Sequence, residues 1–389
     1  MQSEFIFSSE SVTRGHPDKM CDQISDRVVA GYLRHDPDAQ VAAEAALSTG
    51  IVFSSVRFAS RVAVDTASLV REAIADAGYA EGRFNARSCT VMSSHIEHEP
   101  TRAGPSSLVG ATDEKIDKLV AAEQVTAFGF ACNHTAELMP LPISLANKLA
   151  RRLDVVREEK VLQYLTPDGK AQVAVEFRRS KPYRIFAVTV NAGQRHEDER
   201  KPGQMIEDIR EHVIPAAFEG EKIRPDAETR ILVTGSGRGG PYVHAGLTGR
   251  KGGADTYGEY ARRTDSALSG KDPTRVERIG SYAARYAAKH VVAAGLAEQC
   301  EVQLSYTAGL PGPVSVQIET FGSAQLAEDE IAKRLRRVFD FRIGALSNRF
   351  RLHELDAEDV YPRLAVYGHF GRTDLALPWE RLDSVDALR

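Results

Sequence analysis

Two glycine turns that carry cations, the second running into an alanine-rich helix, restrict this chain more than any other stretch. Gly246-Leu247-Thr248-Gly249-Arg250-Lys251 is the first turn, Ser269-Gly270-Lys271-Asp272-Pro273 the second, and the helix stops at Gly295. Glycine lets backbone N–H groups approach anionic oxygens, and Arg and Lys neutralise them, which suits a polyphosphate. Asp272 and Pro273 read as N-cap and first helical residue, adding the favourable field of a helix N-terminus. The rest of the chain reads as the scaffold for this segment.

That scaffold is large enough to bury a substantial core, since 389 residues with 42% hydrophobic content predict two or three domains. A formal net charge of -4 gives no general attraction to nucleic acid or to anionic membranes. The start, Met1 to Phe7, lacks the basic region and long apolar core of a signal peptide, and no apolar run reaches membrane-spanning length. The expectation is a cytoplasmic protein without nucleic-acid or membrane partners. Cys21, Cys89, Cys132 and Cys300 lie far apart with no zinc spacing and read as buried small residues.

Along the chain, Phe5-Ile6-Phe7 reads as a strand and Ser8 to Gly15 as a polar loop. A helix starts at Pro17, with Ile24, Val28 and Tyr32 on one face and Asp18, Asp22 and Asp26 on another. Periodicity alone reads that second face as a solvated acidic one, and His16 beside Asp18 at the helix start leaves a functional reading open. Strands are expected over Val41 to Phe58 and around Cys89 to Met92, with a helix from Thr66 to Ala77 between them. Glu99 to Ser107 reads as a linker or flap, and Asp113 to Glu123 as a helix. The segment Thr126 to Ala131 starts a second unit, followed by a helix from Ile143 to Arg152 and strands over Gln172 to Arg178 and Tyr183 to Asn191. The remainder predicts a helix from Met205 to Ala217 and strands at Arg230 to Thr234, Cys300 to Thr307 and Val314 to Thr320. A helix from Glu328 to Phe339 and a loop-rich tail complete the chain. Strand pairs and helices recur about three times, so the expected class is α+β in three similar units.

Two familiar phosphate motifs fail on inspection. Gly235-Ser236-Gly237-Arg238-Gly239-Gly240 follows a strand, but a dinucleotide site needs a helix to open at the third glycine, and Pro241 to Gly246 predicts more turn. A P-loop needs glycine where Asp265 stands and Ser or Thr where Asp272 stands. Any phosphate site must therefore combine cations from distant segments.

The ordered set Gly15-His16-Pro17-Asp18-Lys19, Asp22-Gln23-Ile24-Ser25-Asp26, Leu165-Thr166-Pro167-Asp168-Gly169-Lys170, the two cationic turns, Asp255-Thr256-Tyr257-Gly258 and Tyr282-Ala283-Ala284-Arg285-Tyr286 resembles the S-adenosylmethionine synthetase (methionine adenosyltransferase) family. The resemblance runs from Phe7 to Trp379. It implies three pseudo-symmetric α+β domains, drawn here as 1–100, 118–237 and 238–389 with a flap or linker at 101–117. It also implies a homodimer or dimer of dimers with sites at the subunit interface. The implied reaction is attack of a thioether sulfur on C5′ of ATP, expelling triphosphate that is hydrolysed to pyrophosphate and phosphate. By matching position, His16 would assist departure at the C5′ oxygen, Lys170, Arg250, Lys251 and Lys271 would hold the triphosphate, and Asp168 and Ala267 would serve the ATP site. Asp18 and Asp272 would bind Mg2+ and Glu44 K+.

The chain departs from the family where the acceptor would bind. A glutamate is expected at Arg57, a glutamine at His98, an aspartate at His244 and a lysine at Arg275. The family's Gly-Asp-Gln-Gly run is Ala122-Glu123-Gln124-Val125, its glycine triplet is Thr264-Asp265-Ser266, and the loop near Arg238 is shortened. Losing one partner of a buried ion pair costs about 3–5 kcal/mol, so replacing carboxylates by Arg and His disfavours the ammonium of methionine. Beside the family default stand two alternatives: the same chemistry on an amine-lacking or anionic acceptor, and a non-catalytic ATP-binding regulator.

Overall fold

A computed structural model of the chain describes residues 4–101, 104–195, 200–235, 237 and 239–389. Arg238, the marker of the shortened loop, lies outside them. The first third holds β1 (Glu4–Val12), α1 (Pro17–His35), β2 (Gln40–Ser48), β3 (Ile51–Ala59), α2 (Thr66–Asp76), β4 (Thr90–Glu97) and α3 (Asp113–Ile116). The middle holds β5 (Val125–Cys132), α4 (Leu141–Glu158), β6 (Leu165–Arg178), β7 (Lys181–Gln194), α5 (Pro202–His212), α6 (Ile214–Ala217) and β8 (Arg230–Gly235). The last third holds β9 (Gly246–Leu247), α7 (Gly252–Asp255), α8 (Val276–Ala293), β10 (Gln299–Tyr306), β11 (Ser315–Glu319), α9 (Glu328–Val338), α10 (Ile343–Phe350) and α11 (Ala357–Leu364).

One motif recurs three times, as expected of the α+β class: a long helix, an antiparallel hairpin and a second helix. It occurs as α1, β2–β3, α2; as α4, β6–β7, α5; and as α8, β10–β11, α9. In the first two units a strand then returns parallel to the hairpin, β4 beside β3 and β8 beside β7. Every hairpin is completed by a strand from a different unit: β9 pairs with β2, β1 with β6, and β5 with β10. No unit closes its own sheet, and one large apolar core joins side chains of α1, α4 and α8 with all three sheets. A smaller core under β2 and β3 packs Met20, Ile24 and Leu47 against Val70 and Ile74 of α2. The four cysteines are free and buried, and among the described residues no helix is long and apolar enough to cross a membrane.

Tertiary pairing overrides several local expectations. Ser8 to Val12 is strand rather than loop, because β6 pairs with it residue by residue and Ser9 and Ser11 find partners in Gly258 O and Asn147 Oδ1, each at 2.6 Å. The helix expected to reach Glu123 stops at Ile116; Leu119 and Ala121 are buried instead, and Ala121 N donates to Leu310 O. Helix α8 opens at Val276 with Arg275 as N-cap, not at Pro273, since the Asp272 carboxylate accepts from Thr274 N at 2.9 Å and makes a turn ahead of the helix. Helix α4 continues to Glu158, leaving Lys148, Arg151 and Arg152 in its interior. The tail contains α10 and α11, the latter capped by Asp356.

The second cationic turn is locked onto β2. Gly270 has φ 78°, Ala43 N donates to Gly270 O at 2.7 Å, and a Cβ at Gly270 would lie 2.0 Å from Ala43 O. Gly295 has a similar φ of 74° with open space around it. Gly295→Ala should therefore lower stability by about 1 kcal/mol, the cost of the left-handed backbone alone. Gly270→Ala should cost about 3 kcal/mol or more, because backbone must also move. Denaturant midpoints of the two variants measure the difference, and equal losses would mean that Gly270 is not clamped.

Candidate active site

The acidic face of α1 organises the site, and it is not solvated: Asp18, Asp22 and Asp26 are all buried. Each accepts a backbone N–H from a glycine turn. Asp18 Oδ1 accepts from Leu247 at 3.0 Å, Asp22 Oδ1 from Gly249 at 2.7 Å, and Asp26 Oδ1 from Gly270 at 2.8 Å. Thr248 adds a hydroxyl contact with Ser25 at 2.8 Å and accepts from Ala45 N at 2.9 Å. Buried carboxylates need compensation. Lys19 Nζ lies 2.8 Å from Asp22 and also pairs with Asp255, while Arg278 pairs with Asp26 and donates from Nε to Leu268 O at 2.7 Å. Burial opposes the charge of Lys19, yet Asp22 and Asp255 hold it protonated above its ordinary range.

The N-terminal end of α1 gathers the first cluster. His16 is the helix N-cap, its Nδ1 accepting from Asp18 N at 3.2 Å. Burial first, then Lys251, His244, Lys170 and Lys19, push its pKa down to about 2. His16 is therefore neutral, with Nδ1 unprotonated and the proton on Nε2, a hydrogen-bond donor. Arg250 and Lys251 approach Asp18 at 3.4 and 4.0 Å, and Lys251 lies 3.7 Å from Glu10. Lys170 stands opposite Val12 in the β1–β6 pairing. Asp168 Oδ2 accepts from Gly240 N at 2.6 Å and lies 3.4 Å from His244 Nε2, and burial raises its pKa. Gly240 opens a short 3-10 turn rather than a dinucleotide-type α-helix.

His16, Asp168 and His244 place one ligand atom each within 4.8 Å of one another, a histidine and carboxylate set of metal-binding type. The His16 tautomer works against it: metal ligation through Nε2 would require a proton on Nδ1, where the Asp18 N–H already points.

The second cluster lies at the other end of the acidic face. Arg57, His98, Glu123, Asp272 and Arg275 line one cavity of about 270 Å³ with Gln40 to Ala42 of β2. Asp272 Oδ2 accepts from Val41 N at 3.0 Å, and Arg275 pairs with Glu123 at 3.0 Å. Lys271 donates to Ala267 O at 2.7 Å, and burial lowers its pKa, with Glu44 and Glu277 acting in the opposite sense. Glu44 is exposed on β2.

The expected residues thus fall into two groups. His16, Asp18, Asp168, Lys170, Arg250 and Lys251 come together, and so do Lys271, Ala267, Asp272 and four of the five acceptor residues. His244 joins the first group, not the acceptor cavity. Asp18 and Asp26, which anchor the two groups, are eight residues apart, about 12 Å along α1. Sequence reasoning misses Lys19, Asp22, Asp26, Asp255 and Arg278 as site residues. The four-residue spacing of the aspartates is the available signal, and its buried partners are remote in sequence.

Comparison with known proteins shows what the whole chain is similar to. Three family models match: S-adenosylmethionine synthetase N-terminal domain over residues 4–100, central domain over 118–239 and C-terminal domain over 238–381. The chain is 42% identical to an S-adenosylmethionine synthase of Synechococcus elongatus, covering 100% of this chain and 98% of that protein. It is 44% identical to an S-adenosylmethionine synthase of Prochlorococcus marinus, covering 98% and 97%.

The depressed His16 makes stability depend on pH. Between pH 6.5 and 2 the unfolded chain binds a proton at this residue that the folded chain does not, so the contribution is complete above pH 6.5 and declines as pH falls. Replacing His16 by Asn should reduce the slope of unfolding free energy between pH 6 and 4 by about 1.4 kcal/mol per pH unit. Denaturant titrations across that range measure it; an unchanged slope would mean that His16 titrates normally.

Proposed function

The chain belongs to the S-adenosylmethionine synthetase family, and from that premise we propose how its residues divide the family's reaction. The activity is that of a transferase: methionine sulfur attacks C5′ of ATP, S-adenosylmethionine forms, and the expelled triphosphate is hydrolysed to pyrophosphate and phosphate. A polyanionic leaving group in a partly dry site demands fixed positive charge, usually the main source of rate enhancement in such catalysis. In this reading Lys170, Arg250 and Lys251 hold the triphosphate from one side and Lys271 from the other. Neutral His16 donates from Nε2 toward the departing C5′ oxygen, and Asp168 and Ala267 face the nucleotide.

The separation of the two clusters carries the next step. Ile51 and Phe53 of β3, Met92 and Ile96 of β4 and Leu247 of β9 are exposed on their sheet, while Val52, Ser54 and Val56, which alternate with the β3 pair, are buried. Glu44 and Arg57 are exposed on the same sheet. An isologous two-fold contact through this apolar face would lay the Asp18 end of one chain against the Asp26 end of its partner. Each dimer would then hold two complete sites, each made by both chains.

Mg2+ and K+ belong to this proposal. Carboxylates are the hard oxygen donors that Mg2+ selects, and Asp18 Oδ2 accepts no hydrogen bond among the described residues, with the neutral His16 Nδ1 3.8 Å and the Lys251 ammonium 4.0 Å away. Asp18 of one chain and Asp272 of its partner would hold the ion, because within one chain the two carboxylates belong to clusters at opposite ends of the acidic face of α1. Mg2+ would supply charge to the triphosphate, and Glu44 would hold K+.

Mixing chains tests both the activity and its assembly. Lys251→Ala and Lys271→Ala should each lower kcat for S-adenosylmethionine formation by about 100-fold. Co-expressed in equal amounts, they should recover roughly a quarter of wild-type activity, because mixed dimers hold one site free of both changes. A mixture no more active than its parents would refute the shared site.

A further inference from the structure

The cavity that gathers Arg57, His98, Glu123 and Arg275 has its negative charges already engaged. Glu123 accepts from Arg275 at 3.0 Å. Asp272 accepts from Val41 N through Oδ2, and from Thr274 N and Oγ1 through Oδ1 at 2.9 and 2.6 Å. Among the described residues the positive side is matched only at Arg275, which lies 3.0 Å from Glu123 and 3.6 Å from Glu277. Arg57 makes no hydrogen bond or ion pair among the described residues, and Arg275 Nε is buried without a partner. A guanidinium with its fork unanswered fits a carboxylate, held through two parallel hydrogen bonds. An ammonium entering the same cavity meets Arg57 and Arg275, and it can pair with Glu123 or Asp272 only by sharing a carboxylate that already accepts hydrogen bonds, whereas desolvating it unpaired is costly.

Taking this cavity as the acceptor pocket, a reading on which the inference rests, we propose that it takes thioether carboxylates lacking the α-ammonium at least as well as it takes methionine. The enzyme then has a second activity with the same bond changes. A sulfur lone pair forms the bond to C5′, the C5′–O bond breaks, and its electron pair leaves with triphosphate. The product is an adenosyl sulfonium that keeps its carboxylate and has no amine. Water cleaves the triphosphate as in the methionine reaction, and no oxidant or reductant is required. Arg57 is the specificity-determining residue.

The test compares kcat/KM of the full-length enzyme, with saturating ATP, Mg2+ and K+, for methionine and for methylthiobutanoate, which is methionine without its amine. Adenosylated products are identified by mass. The expected ratio of methylthiobutanoate to methionine is one or greater. A preference for methionine of tenfold or more overturns the proposal and leaves the synthetase reading standing. Failure of both acceptors, with ATP bound, overturns the synthetase reading itself. Arg57→Glu should shift the ratio at least tenfold toward methionine, an effect that loss of folding does not produce. Should that variant not fold, Arg57→Gln should shift the ratio in the same direction. An unchanged ratio in a folded variant removes Arg57 from the assignment.

Discussion

Three buried carboxylates on one face of α1 hold this candidate active site together. Asp18, Asp22 and Asp26 each take a backbone N–H from a turn more than two hundred residues away. Hydrogen bonds to charged groups are worth about 1.5–3 kcal/mol each, against a desolvation cost that Lys19 and Arg278 offset by direct pairing. The arrangement does more than stabilise. It fixes the backbone of both glycine turns, so Arg250, Lys251 and Lys271 project from rigid positions, and preorganised charge is what a departing polyphosphate requires.

The exchange of strands among units explains why the turns can be held this way. Because β9 completes the sheet of β2 and β3, the first cationic turn emerges beside α1 rather than within its own unit. Lys271 likewise bridges to Ala42 of β2. The same sheet leaves an apolar face open with a cation cluster toward each end. Sheet exchange, half-site separation and the proposed two-fold contact are consequences of one topology.

Much of this is legible in the sequence. The strand and helix rhythm predicts three α+β units, the two cationic turns carry the residues proposed to hold the triphosphate, and the ordered motifs identify the family. What escapes is non-local. Ser8 to Val12 reads as loop because its serines are polar, and only β6 makes it a strand. Asp22 and Asp26 read as solvated because the groups that bury them, Gly249, Asp255, Gly270 and Arg278, are distant in sequence. Matching position groups His244 with the acceptor residues, whereas within the chain it stands 3.4 Å from Asp168, away from the cavity that gathers the other four. Local signals make Asp272 a helix cap, and its bond to Val41 N gives it a different task.

The claim that α1 clamps both turns is open to direct measurement by native-state amide hydrogen exchange at Leu247, Gly249 and Gly270. Exposed glycine-rich turns ordinarily exchange through small local openings, with free energies near zero. If the carboxylates of α1 hold these amides, all three exchange only through openings comparable to those of the α1 core. Rapid exchange of Gly249 and Gly270 in the native protein would contradict the account.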